Sequence, residues 1–229
     1  MSICHSPLLV SSIIYNMNIK QFVFNHFQVN CFVLWCEDTH ECAIVDPGAE
    51  ANYEDAQLTQ FVEEKGLTPV MVLLTHAHVD HIAGLKQVCE RYNLPVTLHP
   101  EGAKLLGQAE VYGSVMGFDV ENMGRLERRE INDNDVLTLG GEQIECRFVP
   151  GHCPGSMAYV LPDEQVVITG DALFRGSIGR TDLPGGDYDL LMEKLHGRIL
   201  TLPDEYVVLP GHGDTSTIGE EKMYNGFLQ

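Results

Sequence analysis

Hydrophobic residues occur in short blocks along the chain, and the spacing within the blocks alternates between that of strands and that of helices. In the first half of the chain, this pattern predicts three strands, a helix, a strand, a helix, a strand and a helix. They are expected over Ile19–Asn25, Val29–Cys36, Cys42–Asp46, Glu50–Lys65, Val70–Leu74, Ile82–Tyr92, Pro95–His99 and Glu101–Val115. The segment Gly117–Arg129 has no clear period and is predicted as a surface loop.

The second half repeats this alternation. It predicts four strands, a helix, a strand and a closing helix. These are expected over Val136–Leu139, Gln143–Val149, Met157–Leu161, Val166–Thr169, Tyr188–Leu200, Tyr206–Leu209 and Ile218–Tyr224. Because both halves contain strand-rich and helical segments, the pattern predicts two similar layers packed on one core, with helices outside.

The domain organisation is expected to be simple. The chain has 229 residues, which is about one to two domains by length. Residues 17–229 are expected to form a single domain. Residues 1–16 resemble a signal peptide in their apolar content but lack the basic leading residues, so we expect a poorly ordered extension, with Met17 as an alternative start.

Charge and cysteine content limit the classes of partner. The chain has 33 acidic against 14 basic residues, a net charge of −19, which would repel a phosphate backbone. No run approaches the roughly 18 apolar residues of a membrane span. The 7 cysteines are odd in number and include no C-x-x-C pair, which favours a reducing cytoplasm. Neither nucleic acid nor membrane is an expected partner, and the oligomeric state stays open.

Ligand-type side chains are concentrated directly after the apolar strand Val70–Leu74. The heptapeptide Thr75–His81 reads THAHVDH and contains three imidazoles and a carboxylate. Further candidates follow later strands, beside Gly or Pro: His152 after Gln143–Val149, Asp171 after Val166–Thr169, and His212 after Tyr206–Leu209. Strand ends that share one sheet edge bring distant residues together. Imidazoles and carboxylates are ligand types of zinc, iron and manganese, so we expect a metal site.

The spacing favours two ions over one. His76 and His78 flank a single residue and can face one ion, with His152 as the third ligand. Asp80, His81 and His212 then face a second ion, and Asp171 has two oxygens with which to bridge the pair. Such a two-metal site holds its ions roughly 3.5–4 Å apart. None of these candidates is a cysteine, which disfavours a closed structural zinc site.

These residues and their order along the chain resemble the metallo-β-lactamase superfamily. The resemblance implies a mixed α/β fold, the four-layer αββα sandwich. Within the superfamily, Gly170–Phe174, Gly176–Asp182 and Pro210–Gly213 are similar to the glyoxalase II group, and most closely to its short, YcbL-like hydrolases. Common class B lactamases have a cysteine at the position of Asp171, which disfavours antibiotic hydrolysis. Only residues 213–229 follow His212, so the helical glutathione-binding domain of full-length glyoxalase II is expected to be absent.

The resemblance implies a metal-dependent hydrolase that cleaves a small, anionic thioester of the hydroxyacylglutathione type. Two divalent ions per chain are expected, zinc first, with iron and manganese as alternatives. A hydroxide between the metals would attack the carbonyl, because coordination lowers the pKa of water to roughly 7. Asp80 is expected to be catalytic as well as a ligand, since it is placed to orient that hydroxide.

A second function stays open. Persulfide dioxygenases share this fold and the Gly179–Asp182 element, and in that family a single iron is held by residues that correspond to His76, His152 and Asp171. Two arginines are candidates for substrate binding. Arg180 is expected either to pair with Asp182 or to contact substrate, and Arg175 is a weaker candidate.

Overall fold

Strands of two β-sheets form the middle of the molecule in the computed structural model, which describes residues 17–229. The extension expected over residues 1–16 lies outside the described residues. The first sheet contains β1 (Met17–Phe24), β2 (Val29–Cys36), β3 (Glu41–Val45), β4 (Thr68–Leu73), β5 (Val96–Leu98) and β6 (Arg128–Glu130). The remaining strands are β7 (Val136–Leu139), β8 (Glu142–Phe148), β9 (Met157–Leu161), β10 (Val166–Gly170), β11 (Leu173–Phe174), β12 (Ser177–Ile178), β13 (Val207–Pro210) and β14 (Ser216–Thr217).

In the described part of the chain, six α-helices cover the outer faces of these sheets. They are α1 (Asn52–Glu64), α2 (Leu85–Tyr92), α3 (Pro100–Leu106), α4 (Ala109–Met116), α5 (Tyr188–Lys194) and α6 (Ile218–Tyr224). The first sheet has the strand order β1-β2-β3-β4-β5-β6, in which β3 to β6 run parallel. The second has the order β14-β13-β10-β9-β8-β7. Strands β11 and β12 form a separate hairpin.

Three apolar cores separate four layers. Strand β2 shows why, because its side chains alternate between two of the cores. Phe32 and Leu34 pack between the two sheets, against Ile144 and Tyr159 of the second sheet. Val33 on the opposite face packs with the helix layer of α1 and α2. The third core lies between the second sheet and the helices α5 and α6, and the whole arrangement confirms the αββα sandwich.

Parallel strands bring distant ends of the chain to one edge. Strands β10 and β13 run parallel, and β8 has the same direction as β10 because each is antiparallel to β9. The carboxyl ends of β8, β10 and β13 therefore meet at the same edge of the second sheet. This edge is joined to the first sheet, since the Met157 amide donates to the Thr75 carbonyl at 2.8 Å and the Tyr159 hydroxyl donates to the Leu74 carbonyl at 2.6 Å.

Three predicted helices differ in their bounds. The single helix expected over Glu101–Val115 is two helices, α3 and α4, which are separated at Gly107, a poor helix former. The helix expected from Ile82 begins at Leu85, because the residues before it form turns that are pinned to Pro47 by a 2.8 Å hydrogen bond from the Gly84 amide. In place of the helix expected over Tyr188–Leu200, the α-helical part, α5, ends at Lys194. A π-helical turn over Leu195–Ile199 follows it.

The segment Gly117–Arg129 is more ordered than the surface loop that its sequence predicts. It contains a 3₁₀ turn over Met123–Arg125 and the start of β6, which pairs in parallel with β5. Within residues 17–229, no helix is both long and apolar enough to cross a membrane.

Candidate metal centre

The heptapeptide Thr75–His81 follows the end of β4 and is held in place by the carboxylate of Asp46, the residue directly after β3. Asp46 is buried and accepts two hydrogen bonds from Thr75, at 2.7 Å from its amide and 2.6 Å from its hydroxyl. The Asp46 backbone is in the left-handed region, with φ of 50°, which turns its side chain toward this loop. The loop therefore leaves the sheet in a fixed direction.

Three imidazoles converge at the end of the second sheet. The His78 Nδ1 atom lies 3.1 Å from His76 Nε2 and 2.9 Å from His152 Nε2. His76 and His152 are buried, and His78 is partly exposed to the adjoining cavity. We call His76, His78 and His152 the imidazole cluster.

A second group combines imidazoles with a carboxylate. The Nε2 atom of His212 lies 3.0 Å from an Asp80 carboxylate oxygen, and that of His81 lies 3.6 Å from the same carboxylate. We call Asp80, His81 and His212 the mixed cluster. Asp171 lies between the clusters: its Oδ1 is 3.3 Å from His81 Nε2, and its Oδ2 is 3.6 Å from His152 Nε2.

The donor set fits bound cations. Imidazole nitrogens face one another in the imidazole cluster, where a shared cation would satisfy their lone pairs. Within residues 17–229, the Nε2 of His81 and the Oδ1 of Asp171 are buried and have no partner with hydrogen-bond geometry, although they lie 3.3 Å from each other. This is a costly arrangement unless something binds there. Together the seven predicted residues present nitrogen and oxygen donors, the types that zinc, iron and manganese accept.

The imidazole cluster favours uncharged rings. Burial lowers the pKa of His76 well below its ordinary value, and the neighbouring imidazoles lower it further. Burial, with His152 nearby, lowers the pKa of His78 to about 4, and burial also lowers that of His152. The neutral imidazole is the form that binds a metal, so near pH 7 this cluster needs no proton release to do so.

The mixed cluster has the opposite electrostatics. Burial alone would lower the pKa of His81, but Asp171, Asp80 and Asp46 raise it well above its ordinary value. Burial also works against protonation of His212, yet its hydrogen bond to Asp80 and the charge of Asp171 raise its pKa. The Asp80 carboxyl has a lowered pKa because His81 and His212 outweigh the effect of burial.

Each imidazole that projects from a strand end has a partner that orients it. The Nδ1 of His81 lies 2.9 Å from Asp46, that of His152 lies 2.8 Å from the Arg180 carbonyl, and that of His212 lies 3.0 Å from the Phe27 carbonyl. Such partners fix the ring and leave Nε2 free for a metal. Sequence reasoning did not identify Asp46 as part of the site, although its position as the last residue of a predicted strand, before Pro47, was a signal.

Glycine permits the close approach of the strand ends. A Cβ atom on Gly211, next to His212, would lie 2.2 Å from Asp171 Oδ1 and 2.8 Å from the His81 ring. Gly170 has φ of 51°, and a Cβ there would lie 2.4 Å from the Thr75 hydroxyl. Side chains at these two positions would push the carboxylate and imidazoles apart.

An open cavity of about 250 Å³ lies over both clusters. Its floor consists of donor residues from both clusters together with Asp171. Its lining comprises Phe27, Ala77, His78, Val79, Asp80, Leu105, Tyr112, Met116, His152, Asp171, Arg180, Leu183, Pro184 and His212. The donor atoms are therefore accessible to a small molecule.

The two candidate arginines differ in position. Arg180 lines the cavity, and its guanidinium forms a two-point ion pair with Asp182 at 2.8 and 2.9 Å. Arg175 lies outside the cavity lining found in residues 17–229, and its exposed guanidinium is 3.5 Å from Asp214.

Cys153, which follows a cluster residue, is packed in the interior. It is 1% exposed, and its sulfur lies 3.4 Å from the Ser156 hydroxyl. Burial raises the pKa of the thiol to about 12, which keeps it protonated. Its sulfur nevertheless lies within 4.8 Å of one donor nitrogen from each residue of the imidazole cluster.

The αββα layers and the donor set at the joined strand ends define a metallo-hydrolase. A family profile described as the metallo-beta-lactamase superfamily matches residues 25–212. The chain belongs to this superfamily.

Two curated relatives cover most of the chain. It is 41% identical over 212 residues to the probable metallo-hydrolase YqgX of Bacillus subtilis, a match that spans 93% of this chain and 98% of the relative. It is 36% identical over 214 residues to the hydroxyacylglutathione hydrolase GloC of Haemophilus influenzae, again spanning 93% and 98%.

Two solved structures are similar over equally long stretches. The BLEG-1 B3 metallo-beta-lactamase has a TM-score of 0.82 and 35% identity, covering 93% of this chain and all of that one. TTHA1623, solved in a di-iron-bound form, has a TM-score of 0.81 and 34% identity, covering 91% of this chain and all of that one.

Proposed function

We propose that this metallo-hydrolase cleaves a small thioester. The observation that carries the proposal is the position of Asp171 on the floor of an open cavity. Its Oδ1 lies 3.3 Å from His81, and its Oδ2 lies 3.6 Å from His152 of the imidazole cluster and 3.7 Å from His212 of the mixed cluster. The likeness to a hydroxyacylglutathione hydrolase over 93% of the chain supports the same chemistry.

We propose that the imidazole cluster holds one divalent ion and the mixed cluster another, with Asp171 between them. Zinc is the first candidate, with iron and manganese as alternatives; the di-iron form of TTHA1623 is consistent with two ions. When bound, such ions supply Lewis acidity toward the carbonyl and acidify water to a pKa of roughly 7.

Among the residues of the chain, Asp80 has the catalytic role of orienting the attacking water. The residue is 6% exposed and lines the cavity, and its carboxyl has a lowered pKa because His81 and His212 outweigh the effect of burial. An ionised carboxylate at that place accepts a hydrogen bond from the attacking water and fixes its direction. The leaving thiolate has a parent pKa near 8.5, so it departs without a dedicated acid.

The proposed substrate is anionic. Two dications at the centre would exceed the charge of Asp80 and Asp171, so the floor of the cavity would be positive although the whole chain carries −19. Arg180 adds little to that field, because Asp182 neutralises it. A cytoplasmic location belongs to this proposal, since the substrate class is a thiol metabolite of a reducing compartment.

Persulfide dioxygenation by a single iron is the second candidate. It is favoured by the closeness of His76, His152 and Asp171, whose imidazole nitrogens lie 3.9 and 3.6 Å from the Asp171 Oδ2. This set requires neither Asp80 nor His212.

The experiment is metal analysis of protein purified without added metal, followed by assays on the same sample. Two ions per chain with hydrolysis of small thioesters is the expected result. One iron per chain with oxygen consumption on a persulfide would reject the hydrolase in favour of the dioxygenase. A β-lactam belongs in the panel because of the likeness to a B3 metallo-beta-lactamase, and faster turnover of it than of every thioester would also reject the proposal.

A further inference from the structure

One side of the cavity is apolar and built mainly by two helices. Leu105 comes from α3, Tyr112 and Met116 come from α4, and Phe27 approaches from the turn between β1 and β2. We call these four residues the apolar wall. They are not metal-ligand types, and the assignment of the donor residues leaves them without a role.

Helix α4 has one face toward the cavity, and the packing of the helix holds that face in place. Tyr112 and Met116 are four positions apart and therefore lie on one side of the helix. The adjoining Gly113 packs so closely on the following segment that a Cβ there would lie 2.4 Å from Val120. Val111 and Val115 lie outside the cavity lining and are exposed to 68% and 79%.

The wall is also fixed relative to the donor residues. Helix α3 begins against the loop that follows His152, where a Cβ on Gly155 would lie 2.2 Å from the Gly102 amide nitrogen. Backbone contact of this kind leaves no room for the helix to shift toward the loop. A group bound on the apolar wall therefore has a defined distance from the donor atoms.

The charges around the cavity do not suit a polar thiol carrier at the wall. Within the lining formed by residues 17–229, Arg180 is the cationic side chain, and it is engaged by Asp182. Glutathione and coenzyme A carry carboxylates or phosphates, which would need free cations or backbone amides. An aliphatic or aromatic group needs neither, and its burial is favourable by about 25 cal/mol per Å².

We infer that the apolar wall is a recognition subsite for an aliphatic or aromatic group of the substrate. This rests on the proposed function, because it names the class of thioester: one with an apolar group on one side of the scissile bond. The open cavity of about 250 Å³ has room for such a group beside the scissile bond over the donor residues.

The test uses the metal-loaded full chain and two series of thioesters. One series lengthens the acyl group from acetyl to octanoyl on a constant mercaptan, and the other varies the thiol with a constant acyl group. We expect kcat/KM to rise by about fourfold per methylene in one of the series until the cavity is filled. Met116→Ser and Tyr112→Ser should lower the ratio of long-chain to acetyl kcat/KM by about tenfold.

Matched controls lie on the same helix. Val111→Ser and Val115→Ser remove exposed apolar side chains outside the lining, and the long-to-short ratio should stay within twofold of wild type. A flat response in both series, or an equal loss of the ratio in these controls, would overturn the subsite.

A binding measurement separates this inference from the proposed function. Dethia ketone analogues, in which a methylene replaces the sulfur, are titrated by calorimetry with short and long chains. Length-dependent binding without turnover of any thioester would reject the hydrolase and keep the subsite. Thioester turnover with no dependence on length in kcat/KM or in binding would reject the subsite and keep the hydrolase.

Discussion

The two donor clusters are neighbours, yet their electrostatics are opposite. The imidazole cluster consists of buried rings whose pKa values are lowered by burial and by one another. In the mixed cluster, the carboxylates around His81 and His212 raise the pKa of those rings. The rings of the second cluster therefore hold their protons to higher pH than those of the first, and a cation competes with these protons. The difference predicts that the two positions load with metal at different pH.

The comparison also separates the proposed functions. A single-iron dioxygenase would use the imidazole cluster with Asp171 and leave the mixed cluster without a catalytic task. A two-ion hydrolase requires the mixed cluster for turnover. Changes confined to one cluster therefore test which chemistry the site performs.

The largest effect is expected from Asp80→Ala. It removes the carboxylate of the mixed cluster that lines the cavity, so thioester turnover should fall by about a thousandfold or more. One metal ion per chain should remain, because the imidazole cluster does not include Asp80. Thioester kinetics and metal analysis of the purified variant measure both quantities.

Asp38→Ala, in an exposed turn, is the matched control and should keep both ions and full activity. Unchanged turnover in Asp80→Ala would contradict the hydrolase, and so would the loss of both ions.

The imidazole cluster should affect how the free energy of unfolding of the metal-free protein depends on pH. His78 has a folded-state pKa of about 4 against an ordinary value of 6.5, so the unfolded chain binds more protons between these pH values. Stability should therefore fall as pH is lowered from 6.5 to 4, by about 3 kcal/mol from this residue. Denaturant titrations with chelator present should show a shallower fall in His78→Gln.

His196→Gln, at an exposed histidine outside both clusters, is the matched control for the loss of an imidazole. An unchanged slope in His78→Gln would mean that this ring is not buried as a neutral group.

A smaller effect is expected where the backbone supports the imidazole cluster. Gly155 has φ of 80° and lies against Gly102, so Gly155→Ala should cost about 2 kcal/mol through strain and overpacking. Gly102→Ala is the matched control, because its Cβ would meet its nearest atom, on Leu98, at 3.7 Å, an ordinary contact. Unfolding midpoints of the two metal-free variants test the difference, and equal values would contradict the close approach.

The smallest effect is expected from Asp46→Asn, which changes the charge beside one ring of the mixed cluster. The amide keeps the shape but not the charge that faces His81 Nδ1, so affinity at the mixed cluster should fall by about tenfold. Affinity at the imidazole cluster should stay within twofold. Chelator-competition titrations resolve the two affinities, and an equal loss at both would mean that Asp46 supports the whole loop rather than one ring. Asp55→Asn, at a surface pair with Arg91, controls for the loss of charge.

The sequence was sufficient for the parts of the site that follow apolar strands. The apolar run Val70–Leu74 predicts a buried strand, and this places Thr75–His81, directly after it, at a sheet edge. His152, Asp171 and His212 follow by the same logic. Their convergence depends on the common direction of β8, β10 and β13, which the resemblance to a known family implied and periodicity alone did not.

Other parts depend on tertiary contacts that leave no periodic signal. Strand β6 consists of Arg128, Arg129 and Glu130, all exposed, and it is a strand only because its backbone pairs with β5. The role of Asp46 depends on a left-handed backbone that turns it toward His81.

The most direct test of the central claim is a stepwise titration of the metal-free chain with zinc, with thioester hydrolysis measured at every step. The account predicts little turnover up to one equivalent, while the imidazole cluster fills, and a steep rise between one and two equivalents as the mixed cluster fills. Full activity at one equivalent would contradict it, as would two bound equivalents with no hydrolysis of any thioester.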